Sequence, residues 1–144
     1  LTHLTPERGQ KALRINFRNY LGKKWLKHGG LYPDPHVRIF DKRFAKYGAR
    51  EVHEELEVDG EIGELNYDII HLTYADSKEY MAKVKKYAAL ESKWRKSKPS
   101  AVAPVKEFLH RYIRLRGFLD GIAGLTSATL LAYYQYLLRK GFES

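Results

Sequence analysis

The chain has 144 residues, 44% of them hydrophobic and 30% charged, with a formal net charge of +9 and no cysteine. This length and composition fit one domain large enough for a core and exclude global disorder. Without cysteine, disulfides and thiolate metal sites are excluded as well. No basic n-region followed by an apolar stretch opens the chain, so no signal peptide is expected, and a first residue of Leu1 rather than methionine reads as a fragment or a processed product.

The elements expected in the first half are short strands and turns. Leu13, Ile15 and Phe17 alternate with Arg14, Asn16 and Arg18, the period-two pattern of a half-buried strand. Residues 28–35 hold two glycines and two prolines and are expected to form a loop. A short strand follows at 37–40, then a basic turn region at 41–48. Residues 50–58 read as another strand, with Val52, Glu54, Leu56 and Val58 sharing a face with Arg50, and Glu51, His53, Glu55 and Glu57 pointing the other way. Asp59-Gly60 is a hairpin signal leading into a strand at 61–66. One more apolar run, around His71, occupies 67–74.

From Asp76 the pattern becomes helical. Asp76-Ser77 is expected to cap a helix whose Tyr80, Val84, Tyr87, Ala88 and Trp94 recur at helical spacing. Residues 96–100 read as a linker. A second helix then has Val105, Phe108, Leu109, Tyr112 and Ile113 on one side and Lys106, His110, Arg111 and Arg114 on the other. Gly117 interrupts it, and Asp120 is expected to cap a third, nearly apolar helix running to about Leu138. Residues 121–138 carry no charge and approach the length needed to span a bilayer. Thr126, Ser127, Thr129, Gln135 and three tyrosines dilute that stretch, which favours a helix in the membrane interface or in a core over one that spans. Tyr133, Tyr134 and Tyr136 suit an interfacial belt. The chain thus divides into a strand-rich part, 1–75, and a helical basic and aromatic part, 76–144.

Glu54 is the first chemical candidate. A carboxylate interleaved with aliphatic side chains is costly to keep charged, which raises its pKa and prepares it to accept a proton near neutral pH. The competing reading is a strand-edge carboxylate paired with Arg38 or Arg50. His53 is placed either to orient a phosphate or simply to face solvent, and His71 is either a satisfied core histidine or a ligand. Arg38 is a solvated strand residue or a clamp on a pyrophosphate or sugar carboxylate. Between Lys78 and Arg116, twelve Lys or Arg stand against three Glu. Such a block calls for an anionic partner: a helix face on lipid headgroups, with Trp94, Phe108 and Tyr112 as its aromatic contacts, or nucleic acid.

Tyr32-Pro-Asp34, Arg38-Ile-Phe40, Val52-His-Glu54 and His71, taken in order, resemble the second half of a bacterial family 2 glycosyltransferase of the lipopolysaccharide-core and lipid-linked-sugar subgroup. Glu79-Tyr80, Tyr87, Pro104, residues 108–112, Gly117-Phe-Leu-Asp-Gly121 with Gly124, and Tyr133-Tyr134 continue the likeness, which spans about 16–138. Each motif is weak alone, and their order carries the specificity. The resemblance implies an α/β protein, α+β in this stretch: the acceptor-side half of a GT-A enzyme, with short strands followed by three amphipathic or apolar helices. It implies Glu54 as the base that deprotonates the acceptor hydroxyl, which then displaces a nucleoside diphosphate with inversion. It places Trp25, Asp34, Arg38 and His53 on the substrate side and His71 at the metal or diphosphate. Membrane contact would fall to Trp94, Phe108, Tyr112, Arg114, Arg116 and Phe118.

The same likeness implies a nucleotide-sugar donor, a lipid-linked saccharide acceptor, an anionic membrane surface rather than nucleic acid, and a peripheral place on the cytoplasmic face of the bacterial inner membrane. The family's Asp-x-Asp motif is absent from this sequence. A divalent metal, Mg or Mn, is therefore expected only together with a donor-binding half that these residues do not supply. Two other functions compete: a non-catalytic membrane-docking domain, and a basic nucleic-acid-binding module, although no helix-turn-helix, zinc-finger or RNP-like motif is present.

Overall fold

The computed structural model describes residues 9–47, 56–93 and 100–140. The protein is a mixed α+β chain, and the described residues include the strands β1 (Gln10–Leu21), β2 (Lys24–Trp25), β3 (Pro35–Phe40), β4 (Ala45–Tyr47), β5 (Leu56–Val58) and β6 (Glu61–Tyr74). Three α-helices follow, α1 (Ser77–Ser92), α2 (Val102–Leu109) and α3 (Gly121–Lys140). A π-helical turn (His110–Arg114) and a 3-10 turn (Gly117–Asp120) join α2 to α3. The contacts define two compact units, one of residues 1–17 and 33–70, the other of residues 18–32 and 71–144.

In the first unit, β1 pairs antiparallel with β3 from Ala12↔Phe40 to Asn16↔Pro35, with a register shift between Leu13 and Arg14. That irregularity changes the phase of the strand, so Ala12 and Leu13 are both buried before the alternation of Ile15 and Phe17 takes over. Leu13, Ile15 and Leu65, with Ile39 against them, form this unit's core. Pro35 stands at the first position of its strand, where a missing N–H is tolerated. β4 and β5 make a separate antiparallel pair, from Ala45↔Val58 to Tyr47↔Leu56.

Three expectations for this region change. Residues 41–48 contain the strand β4 as well as a turn; three residues are too few for a period-two pattern to register. Asp59-Gly60 does not close a hairpin between its flanking strands, because β5 pairs with β4 while β6 pairs with β1. The Asp59 amide donates to Phe44 O (2.7 Å), keeping it on the β4 side, and Gly60 turns the chain away at φ 142°. Residues 61–74 are one continuous strand rather than two, with the polar Asn66 simply facing solvent. Of the strand expected at 50–58, residues 50–55 lie outside the described residues and 56–58 form β5.

In the second unit, Asp76 caps α1 as expected, its carboxylate accepting from the amides of Lys78 and Glu79 (both 2.8 Å). The Glu79 carboxylate reaches back to the Ala75 amide (2.7 Å). Tyr80 and Val84 pack against Leu130 of α3, with Leu21, Tyr74 and Met81 around them. Ala88 is also buried, whereas Tyr87 is exposed. Burial pushes the Tyr80 hydroxyl well above the ordinary tyrosine range, and Tyr74, stacked on it at 3.8 Å, is shifted the same way for the same reason. The third helix is therefore a core element on this side, and among the described residues no helix is long and apolar enough to cross a membrane. Asp120 precedes it but is not spent on its amides: both carboxylate oxygens are engaged by His28.

Candidate functional site

The second unit contains the most densely constrained part of the described chain, the loop at 28–32 and the corner between α2 and α3. Gly29 and Gly30 both take positive φ (71° and 75°), a conformation that side chains resist. A Cβ on Gly30 would come within 2.9 Å of the Leu115 side chain. The Gly29 amide donates to Leu115 O (2.9 Å), and the Gly29 carbonyl accepts from the Arg111 guanidinium (2.9 Å). Arg111 is itself held by Glu107 one turn earlier. His28 clamps the other side, with its amide on Asp120 Oδ2 (2.7 Å) and its Nδ1 on Oδ1 (2.8 Å).

The corner allows this approach because it is built from glycine. A Cβ on Gly117 would sit 2.8 Å from Arg111 O, and one on Gly124 would run into the Gly117 carbonyl oxygen. Arg116 adopts the left-handed conformation (φ 55°) and turns the chain just ahead of Gly117. Asp120 is almost fully buried, at 4% exposure, so its carboxylate depends on His28 for the hydrogen bonds that water would otherwise supply.

Beside this lock lies a cluster of aromatic and cationic groups. Trp25 meets Tyr32 edge to face at 5.3 Å. The Arg18 guanidinium lies 4.7 Å from the Trp25 ring centroid and the Lys27 ammonium 4.5 Å. The Trp25 indole nitrogen is buried with no hydrogen-bond acceptor among the described residues. Both cations lie over the Trp25 ring, which fixes their charge in place for an anionic group.

Asn19 anchors a third group. It is buried in the row that Ile15 and Phe17 begin, and it is satisfied there by donating Nδ2 to Leu31 O (3.2 Å) and accepting at Oδ1 from Thr73 (3.0 Å) and His71 Nδ1 (2.8 Å). Because Asn19 Oδ1 is an acceptor, the neutral imidazole of His71 carries its proton on Nδ1 and its lone pair on Nε2. Among the described residues no three His, Cys, Asp or Glu side chains are grouped to hold a metal, so they do not themselves supply a ligand set.

In the first unit, Arg38 lies over the Phe17 ring (4.7 Å) and donates to Val37 O (2.9 Å). The Asp34 carboxylate pairs with His36 Nε2 (2.9 Å), and the His36 ring packs on Phe17 at 4.7 Å. Arg38 and Asp34 thus share one strand neighbourhood, while Trp25 and His71 belong to the other unit. Phe108 stacks on Tyr112 (5.3 Å), which meets Phe118 edge-on (6.3 Å), so three of the aromatic candidates form one file. Arg114, Arg116 and Phe118 are exposed, Phe108 and Tyr112 half-buried. Glu54, His53 and Trp94 lie outside the described residues.

Sequence reading missed the partnership of His28 with Asp120 and the inward role of Arg111, which it had assigned to a polar face. The available signal was the spacing of glycines around each: Gly29-Gly30 after His28, and Gly117, Gly121 and Gly124 around Asp120. No protein-family model matches the chain, and no solved structure matches it.

Proposed function

We propose that this chain is the acceptor-side part of an inverting GT-A glycosyltransferase of family 2, which moves a sugar from a nucleotide-sugar to a lipid-linked saccharide. The observation that carries this reading is β6. Tyr67 and Ile69 point to one side of that strand and Ile70 and Leu72 to the other, and all four are exposed, Leu72 at 75%. Exposed aliphatic side chains on both faces leave apolar surface on this strand for a further partner to cover. A donor-binding half seated along β6 would provide that cover.

Three further features support the same assignment. Of the residues that carry the resemblance, Gly117 and Gly124 have no room for a side chain and Asp120 is buried against His28, so the motif reads as a signature of this corner. The Trp25, Tyr32, Arg18 and Lys27 cluster has the chemistry to hold an anionic group, with the charge of Arg18 and Lys27 fixed over the Trp25 ring. His71, fixed through Nδ1 by Asn19, has its ring orientation set by the strand pair that carries it. Where a donor half brings a divalent ion, that ion would neutralise charge on the leaving diphosphate, and the resemblance puts His71 on that side.

In this mechanism Glu54 takes the proton from the acceptor hydroxyl as that oxygen attacks the anomeric carbon, and the nucleoside diphosphate leaves from the opposite side. The test uses the enzyme with its donor half, radiolabelled nucleotide-sugars and a lipid-linked acceptor extract. Glu54→Gln is expected to abolish transfer without altering the circular dichroism spectrum or the melting temperature. Near-normal turnover by that variant removes Glu54 from the mechanism, and failure of the unaltered enzyme to transfer any sugar overturns the reading.

A further inference from the structure

The surface of α2 and the π-helical turn after it is divided into two parallel rows. Val102, Val105, Leu109 and Ile113 follow one another at helical spacing, and all are exposed, between 50% and 58%. Lys106, His110 and Arg114 form the adjacent row, one position on, and are also exposed. A shallow groove between the rows is lined by Lys106, Leu109, His110, Ile113 and Arg114. From 102 to 119 the sole acid is Glu107, and it is turned inward onto Arg111. The 3-10 turn and the start of α3 add the exposed apolar residues Phe118, Leu119 and Ile122, with Arg116 beside them.

We propose that this two-row face rests on an anionic lipid surface, with the aliphatic row in the acyl boundary and the basic row among the headgroup phosphates. The proposal does not depend on the reaction the protein catalyses. Four consecutive outward aliphatic positions are costly to leave in water, and no polar ligand gives them a place. The neighbouring cations specify an anionic partner. A bilayer surface offers both chemistries in one plane at the scale of a helix, as interfacial helices require. Nucleic acid would answer the basic row and leave the aliphatic one wet. A second copy of the chain would bring cation against cation, because the face carries no acid to pair with Lys106 or Arg114.

The face differs from a simple extension of the aromatic file. Phe108 and Tyr112 lie on the flank of the helix and stack on each other, so the aliphatic residues, not these rings, lead into the lipid. The absence of cysteine permits a direct reading of depth. Ile113→Cys carrying an environment-sensitive dye is expected to shift to the blue on vesicles of phosphatidylcholine with phosphatidylglycerol. The same dye on Ala82→Cys, exposed on α1, is expected not to shift.

Co-sedimentation with the same vesicles tests the energetics. Loss of each basic group near a charged surface weakens binding about fivefold, so Lys106→Gln with Arg114→Gln is expected to weaken it about twenty-five-fold. Leu109→Ser with Ile113→Ser is expected to abolish binding at moderate salt while the basic row is intact. All four positions are exposed, so melting temperatures report whether the variants keep their fold. The proposal is overturned if both double variants bind as the unaltered protein does. It is also overturned if vesicles are ignored while single-stranded RNA or an acidic polypeptide is bound, or if sedimentation shows a dimer that the serine variant dissolves.

Discussion

Helices α1 and α2 draw on similar material, aliphatic and aromatic residues at helical spacing among lysines and arginines, yet they end in opposite surroundings. On α1, Tyr80, Val84 and Ala88 are buried, and α3 covers the first two with Leu130. On α2 and the π-helical turn after it, the aliphatic row faces outward, and the groups turned toward the rest of the unit are Phe108, Tyr112 and the polar pair Arg111 and Glu107. Periodicity defines a face on each helix, but it does not say what meets that face. The loop at 28–32 selected the other side of α2 because a guanidinium there reaches a glycine carbonyl that no aliphatic group could satisfy.

This contrast is sharpest where packing is tightest. Gly124→Val would press two methyl groups and a methine into the Gly117 carbonyl, and it is expected to destabilise the protein by about 3 kcal/mol or more. Chemical denaturation measures this, and a variant as stable as the parent would mean that the corner yields. Leu130→Ala is expected to cost about 3 kcal/mol, while Leu109→Ala is expected to stay within about 0.5 kcal/mol. Equal costs would erase the distinction between a covered and an uncovered helix. Asp120→Asn removes a charged acceptor from His28 and is expected to cost about 2 kcal/mol. A double-mutant cycle with His28→Ala should show strong coupling, and additive effects would dissolve the partnership.

The smallest expected effect is one of pH. The Ala75 amide, then Lys83, holds the Glu79 carboxyl below the ordinary glutamate value of 4.5. Its stabilising contribution is therefore complete above about pH 4.5 and is lost as the pH falls through the lower folded value. Because Glu79 is exposed, Glu79→Gln should flatten the acid limb of the stability curve only slightly. An unchanged slope would mean that its bond to Ala75 does not distinguish folded from unfolded chain.

Much of the fold was legible from local chemistry. The alternation of Leu13, Ile15 and Phe17, the breakers at 28–35, the cap at Asp76 and the apolar run of α3 all express preferences confined to a few neighbouring residues. What was not legible depends on partners far along the chain. Asp59-Gly60 has the composition of a hairpin turn, but the pairing of β5 with β4 and of β6 with β1 decides its conformation. Asp120 has the position of a helix cap, but His28 claims both of its oxygens. Among the site candidates, the apolar run drew attention to His71 and the resemblance to Trp25, yet their neighbours Arg18, Lys27, Asn19 and Thr73 come from separate strands and loops and could be assembled only in three dimensions.

The tie between His28 and Asp120 joins residues 92 positions apart. Contacts of such separation close late during folding, after the local turns of the helices have formed. The double-glycine loop therefore gains its shape only once the helical corner exists, and it has little of its own to retain that shape without it. Amide exchange along 28–32 should accordingly report the integrity of the corner, making a short surface segment the sensitive gauge of a junction assembled by the far end of the chain.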